Sequence, residues 1–281
     1  MAEYPAKVYL NGKILNSEDA KISVFDRGFV FGDGVYEALV YVNGKLMFEE
    51  AHFKRLNEGL EKTQIHFDSS TLCKEISRLL VESGLEHEDC LVYLQITRGI
   101  APRKHSFPFN STPTVMMYAK SMDLPGINPI HAKVITVPDQ RWLRCDIKMT
   151  SLIGNVMANN IAHSQGAYEA VLVRDGRITE GSHSNIFFVK DRIVYTHPAN
   201  EYILNGITRK VAIEMCNKLD IEVKFEAILE NNISDMDEAF LSGTTTQIAS
   251  ISQIDDHIFY TNNQTGTITK QLQEVYCELK K

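Results

Sequence analysis

Arg144-Cys145-Asp146-Ile147-Lys148 ends on a lysine, and the chain then runs into a helix-like stretch from Leu152 to Gln165. A lysine placed between an apolar strand end and a helix is a candidate imine-forming nucleophile. Burial would leave such an amine unprotonated and able to attack an aldehyde, and afterwards to move protons. Working outward, Thr179-Glu180-Gly181-Ser182 follows in a turn-and-strand run that carries one carboxylate. A glutamate at a strand end is usually solvated; buried beside a pyridine nitrogen it would hold that nitrogen protonated.

Two later segments suit a phosphate. Leu204-Asn205-Gly206-Ile207-Thr208 opens a helix, whose free N–H groups and Thr208 hydroxyl would bind a dianion, although an ordinary threonine cap would read the same way. Ser242-Gly243-Thr244-Thr245-Thr246 is a small-residue turn after a strand, either a polar loop or an anion nest. An amine, a carboxylate and a phosphate cradle are together what pyridoxal 5'-phosphate requires of a protein.

Thr97-Arg98-Gly99 leads into Pro102-Arg103-Lys104-His105, where Arg103 and His105 alternate and so project to one side of an extended loop. With a tyrosine they would form a carboxylate trap, since a guanidinium grips a carboxylate through two N–H groups. The bland alternative is a basic surface loop, stiffened by Pro102, Pro108 and Pro113. Asp26-Arg27-Gly28 and Phe31-Gly32-Asp33-Gly34-Val35-Tyr36-Glu37 are turn-rich and do not carry a dinucleotide fingerprint.

Composition narrows the function classes. A chain of 281 residues with 44% apolar and 23% charged residues reads as globular, with one large or two ordinary domains. The net charge of -7 argues against a nucleic-acid or anionic-membrane partner, both of which want a basic face. The five cysteines (Cys73, Cys90, Cys145, Cys216, Cys277) are scattered, without metal-ligand spacing or a disulfide pattern, so no metal is expected. Met1-Ala2-Glu3-Tyr4-Pro5 lacks a basic and apolar leader, and no run of 18 apolar residues occurs, so a cytoplasmic location is expected.

Asn11-Gly12, Asn43-Gly44 and Asp175-Gly176 each sit between strand-like runs and predict hairpins. Helices are predicted over 51–63, 69–83, 154–165, 208–219 and 267–280, and strands over 90–97, 114–118, 134–137, 186–189, 193–196, 238–241 and 248–251. This predicts an α+β fold: a small domain over 1–120, a linker over 121–133 around Asp123-Leu-Pro-Gly-Ile-Asn-Pro129, and a larger domain over 134–281.

Taken jointly, these segments resemble the fold-type IV pyridoxal-phosphate enzymes, also called class IV aminotransferases, from about Val8 to about Lys280. The markers are Asp26 to Glu37, His52-Phe-Lys-Arg55, Cys145 to Lys148, Thr179 to Asn185, Gly206-Ile-Thr-Arg209 and Ser242-Gly-Thr-Thr. Within the class, Arg98 to His105 and Arg141 to Lys148 resemble the D-amino-acid transaminase subgroup. The resemblance implies a small α/β N-terminal domain and a larger domain with a mixed, barrel-like sheet and helices. It implies a ping-pong exchange between a D-amino acid (D-alanine, D-glutamate) and a 2-oxo acid (pyruvate, 2-oxoglutarate), in a homodimer.

The resemblance also implies residue roles. Lys148 would form the Schiff base with the cofactor and shuttle a proton, and Glu180 would pair with the pyridinium nitrogen. Arg55, Gly206, Ile207, Thr208, Gly243 and Thr244 would hold the phosphate, and Leu204 would pack on the ring. Tyr36, Arg103, His105 and Thr245 would hold the substrate. Two departures stand out: Met149-Thr150-Ser151 replaces the Ser-Leu-Asn common after the lysine in close relatives, and His183 sits in the stretch after Glu180. The alternatives are an L-branched-chain aminotransferase or aminodeoxychorismate lyase of the same fold and, more remotely, a non-catalytic phosphate-ligand binding protein.

Overall fold

The computed structural model describes residues 4–127 and 130–281, which form two compact units. The first unit is Met1–Leu124 together with Ile147–Ser151; the second is Pro125–Asp146 with Leu152–Lys281. The sequence reading counted everything from 134 onward as one domain, so the placement of Ile147–Ser151 differs from it. The reason is a strand-like bridge between Met149 and Val35 and a hydrogen bond from the Tyr36 N–H to the Lys148 carbonyl. The expected linker is also shorter than 121–133, since the flanking strands reach Ser121 and start again at His131. Its Asn128 and Pro129 lie outside the described residues.

In the first unit, β1 (Lys7–Leu10) and β2 (Lys13–Asn16) make the first hairpin, with Asn11 and Gly12 at positive φ. A short helix, α1 (Arg27–Phe31), was not predicted; with five residues, Gly28 inside it and Gly32 just after it, it carries no periodic signal. The Asp26 carboxylate accepts the Gly28 N–H at its start, and Gly32 at φ 67° stops it. Next come β3 (Gly34–Val42), β4 (Lys45–Leu46), α2 (Glu49–Lys62), α3 (Leu72–Ser83), β5 (Cys90–Thr97) and β6 (Thr114–Ser121). The six strands form an antiparallel sheet in the order β2-β1-β6-β5-β3-β4. On α3 the residues Leu72, Ile76, Leu79 and Leu80 recur at helical spacing, and all four are buried against Leu56, Leu60, Val92 and Met117.

The second unit contains β7 (His131–Pro138), α4 (Ile153–Ser164), β8 (Glu169–Arg174), β9 (Arg177–Gly181), β10 (Asn185–Lys190), β11 (Ile193–Thr196), α5 (Ile207–Lys218), β12 (Val223–Phe225), β13 (Glu238–Gly243), β14 (Gln247–Ile254), β15 (His257–Ile258) and α6 (Thr267–Glu278). Its mixed sheet runs β12-β11-β10-β13-β14-β7-β8-β9, with parallel pairs at β11–β12, β14–β7 and β7–β8, and β15 beside β14. The sheet is curled into a half-barrel, with β9 folding back toward β10. Cross-strand partners Phe187 and Phe240 stack at 4.7 Å in its core, a pairing worth roughly 0.5–1.5 kcal/mol beyond its buried area. Helix α4 covers β7 and β8, while α5 and α6 cover β13 and β14. Among the described residues no helix is long and apolar enough to cross a membrane.

Candidate active site

Lys148 lies in a loop, not at a strand end as the sequence suggested, and the first unit holds that loop tightly. Its carbonyl accepts the Tyr36 N–H at 3.0 Å, and its Nζ stands 4.2 Å from the centre of the Tyr36 ring. Tyr36 stacks on Tyr93 and Tyr93 on Tyr118, so the amine meets the end of a tyrosine ladder along the sheet. The Thr150 and Ser151 hydroxyls donate to the Gly32 carbonyl at 2.8 and 2.9 Å. The unusual Met149-Thr150-Ser151 sequence therefore anchors its own loop. No carboxylate is paired with Lys148 among the described residues, so the amine carries no competing ion pair.

One residue after Tyr36, Glu37 points into the opposite face of the sheet and is fully buried. His52 and Arg55, three apart on α2 and so on one helix face, both converge on it. Arg55 donates Nε and Nη2 to the two carboxylate oxygens at 2.8 Å, and His52 Nδ1 meets it at 2.7 Å. Burial works to raise the Glu37 carboxyl, but Arg55 and His52 outweigh it and hold it down at about 2. His52 is pushed below its ordinary range by burial, with Arg55 and Lys148 adding to the effect against Glu37. A neutral His52 donating from Nδ1 to an ionised Glu37 satisfies both groups. Two nitrogens of Arg55, the residue expected to bind phosphate, are committed to Glu37.

Arg103 and His105 do share one side of their loop, but the ring they meet is Phe31, not Tyr36. The Arg103 guanidinium lies 5.1 Å and the His105 ring 5.7 Å from the centre of Phe31.

In the second unit, Glu180 near the end of β9 is buried and surrounded by donors. Arg141 Nη1 lies 2.5 Å from Oε1, Asn185 Nδ2 2.9 Å from Oε2, and the Leu204 N–H 3.1 and 3.2 Å from the two oxygens. Burial pushes Glu180 up to about 7, against the pull of Arg141 and the Leu204 N–H. Arg141 is itself held by Asp139 and the Tyr202 carbonyl, and Asp139 and Glu180 keep it charged despite burial. Sequence reasoning missed Arg141 as a functional residue. It was visible only as part of a subgroup motif, and nothing in its spacing points at a glutamate 39 residues on.

Leu204 is thereby fixed by its backbone: its N–H donates to Glu180 and its carbonyl accepts from Asn185 at 2.8 Å. Gly206 caps α5 with no side-chain cap bond, which leaves the first-turn N–H groups of Ile207 and Thr208 uncapped. A Cβ on Gly206 would overlap Asn185 Oδ1, so glycine is required there. The Thr208 side chain hydrogen-bonds the Tyr276 phenol. Arg209, one step further on, has a buried and unpartnered Nε, and burial pushes it down to about 10. Because β10 pairs antiparallel with β13, Asn185 at the start of β10 stands opposite Ser242 at the end of β13. Gly243, the last residue of β13, and Thr244 and Thr245 in the turn that follows therefore reach the same end of the sheet as Glu180. His183 turns to Glu169, whose buried carboxylate accepts the His183 and Ser184 N–H groups and the Ser184 hydroxyl.

In the first unit the Lys148 amine has no ion pair among the described residues; in the second, a buried carboxylate matched by donors and an uncapped helix N-terminus suit a ring nitrogen and a phosphate. Comparison with known proteins agrees. The amino-transferase class IV family model matches residues 34–254. The chain is 40% identical over 273 residues to the D-alanine aminotransferase of Staphylococcus epidermidis, covering 95% of each chain. To that of Bacillus licheniformis it is 35% identical, covering 95% of this chain and 94% of the relative. The branched-chain amino acid aminotransferase of Escherichia coli superposes with a TM-score of 0.90 at 21% identity over 98% of this chain and 94% of that one. The branched-chain aminotransferase of Thermoproteus uzoniensis does so with 0.86 at 25% over 97% and 93%.

The fold and the matched residues define an aminotransferase of the fold-type IV class. The chain belongs to the class IV aminotransferase family.

Proposed function

We propose that this protein transfers the amino group of a D-amino acid, D-alanine or D-glutamate, to pyruvate or 2-oxoglutarate in a ping-pong cycle. The observation that carries this reading is the 40% identity over 95% of the chain to a D-alanine aminotransferase, against 21% to a branched-chain enzyme of the same fold. Pyridoxal 5'-phosphate is the cofactor. When bound, it supplies an aldehyde for amine attachment and a ring that accepts the electrons of the substrate Cα–H bond. Lys148 Nζ is the attachment point and takes the Cα proton. Glu180, oriented by Arg141 and Asn185, keeps a proton on the ring nitrogen. The N–H groups of Ile207 and Thr208, beside Gly206, hold the phosphate, with Arg55, Gly243 and Thr244. Leu204 covers the ring, and Tyr36, Arg103, His105 and Thr245 orient the substrate.

The two units serve as the small and large domains of that fold. The protein is a homodimer in the cytoplasm, with small amino and oxo acids as its other partners. Support for self-association comes from α4, which exposes Ile153, Val156, Met157 and Ile161 as a stripe at helical spacing, and from exposed Val24, Phe25 and Phe29 in the first unit.

A branched-chain L-specific activity is the second reading, favoured by the TM-score of 0.90 to such an enzyme. Absorbance spectra with paired substrates separate the two. D-alanine should convert the enzyme to its pyridoxamine form while L-leucine leaves it unchanged; the reverse result overturns the D-specific reading.

A further inference from the structure

The loop from Gly99 to Pro113 carries Arg103 and His105, and a buried charge cluster grips its base. Asp33 Oδ2 accepts Arg27 Nε at 2.7 Å and Arg98 Nε at 2.8 Å, and Asp33 Oδ1 accepts Arg98 Nη2 at 3.0 Å. Both arginines are 4% exposed, so one carboxylate balances two buried guanidiniums. Further donors of both arginines go to backbone. Arg98 reaches the Thr63 and Gln64 carbonyls at the end of α2 and lies 3.6 Å from the centre of the Phe107 ring. Arg27 Nη1 donates at 2.7 Å to the carbonyl of Lys104, the residue between Arg103 and His105. The Arg27 N–H holds the Gly99 carbonyl at 2.9 Å. At Gly99, with φ 88°, a Cβ would overlap the Thr112 carbonyl, so the two stems of the loop are pinched together.

Phe31 completes the arrangement. Arg27 lies 4.7 Å from the centre of its ring, Arg103 5.1 Å and His105 5.7 Å. Both substrate-facing side chains therefore rest on one ring, which Arg27 tethers to the loop backbone, while Asp33 fixes Arg27. A flexible arginine on an open loop would lose its rotamer freedom on gripping a carboxylate; one already laid on a ring loses less.

We propose that Phe31, locked in place by Arg27 and Asp33, is a positioning platform that preorganises Arg103 and His105 for the substrate carboxylate and so sets the affinity for carboxylated substrates. The inference rests on the carboxylate role assigned above to Arg103 and His105. Propionate, a carboxylate without an amine, reads that grip apart from the chemistry. In the holoenzyme, R103A and F31L should each raise the propionate inhibition constant about tenfold, near the 1.4 kcal/mol expected from one lost oriented contact. F31Y, which keeps the ring, should restore it. For D-alanine the loss should fall on KM more than on kcat, a split that general destabilisation would not produce. If R103A weakens propionate binding and F31L does not, the platform is overturned while the carboxylate role of Arg103 stands. If R103A leaves propionate binding unchanged, that role falls and the platform with it. Should F31L fail to fold, R27K, which keeps the charge but loses the planar fork, replaces it with the same expected rise, and an unchanged constant overturns the platform.

Discussion

Arg141 Nη1 stands 2.5 Å from Glu180 Oε1, and both side chains are buried. Burial alone would neutralise the carboxyl, whereas the guanidinium favours its charge. Replacing Arg141 with Met should therefore move Glu180 further up and shift the acid limb of the pH–activity profile to higher pH. An unmoved limb would show that Arg141 does not control Glu180. E180Q, which cannot hold a proton on the ring nitrogen, should lower kcat by about 10²–10³-fold, the scale of one lost preorganised electrostatic contact.

Glu180 also makes stability depend on pH. Its folded pKa of about 7 lies above the 4.5 of an ordinary glutamate, so between these values the folded chain binds a proton that the unfolded chain has released. Stability from this group is therefore fully present below the lower value and is lost as pH rises through the upper one, by on the order of 3 kcal/mol. Urea denaturation of the cofactor-free protein at pH 5 and pH 8 should show this loss in the wild type and a smaller one in E180Q. Equal losses would contradict it.

Glu37 has the opposite sign. Arg55 and His52 hold it at about 2 against burial, so its contribution is present above the ordinary carboxylate range and lost as pH falls toward 2. Glu37→Ala leaves the Arg55 charge unpaired and should cost about 3–5 kcal/mol of unfolding free energy at neutral pH, the range for breaking a buried pair. It should also weaken cofactor affinity, measured by equilibrium dialysis, because Arg55 loses the anchor that orients it.

Lys148→Ala should abolish covalent cofactor attachment, seen as loss of the borohydride-fixed adduct by mass spectrometry, and lower turnover by several orders of magnitude. Retained activity would transfer the nucleophile role elsewhere.

Gly206→Ala places a methyl against Asn185 Oδ1. Asn185 also bonds Glu180 and the Leu204 carbonyl, so the shift should propagate to both. About 1–3 kcal/mol of destabilisation is expected, the range for forcing extra volume into a packed site, together with weaker phosphate-dependent cofactor binding. A calorimetric melt and a cofactor titration check it.

The sequence by itself determined the local elements and the chemical inventory. Asn-Gly and Asp-Gly turns, and apolar residues three and four apart, depend only on near neighbours, so the hairpins and helices such as α3 were legible. Lys148, Glu180 and the Gly206–Thr208 helix start stood out as candidates only through their joint order along the chain, since each motif alone has an ordinary reading. Tertiary structure decided what those groups face. It brought Arg141 to Glu180, committed Arg55 to Glu37, laid Arg103 and His105 on Phe31, and seated Lys148 beside Tyr36. These pairings join residues far apart in the chain, through strand register and the exclusion of water. Whether a charge finds a partner, and hence where it titrates, follows from burial and topology, which no local spacing encodes.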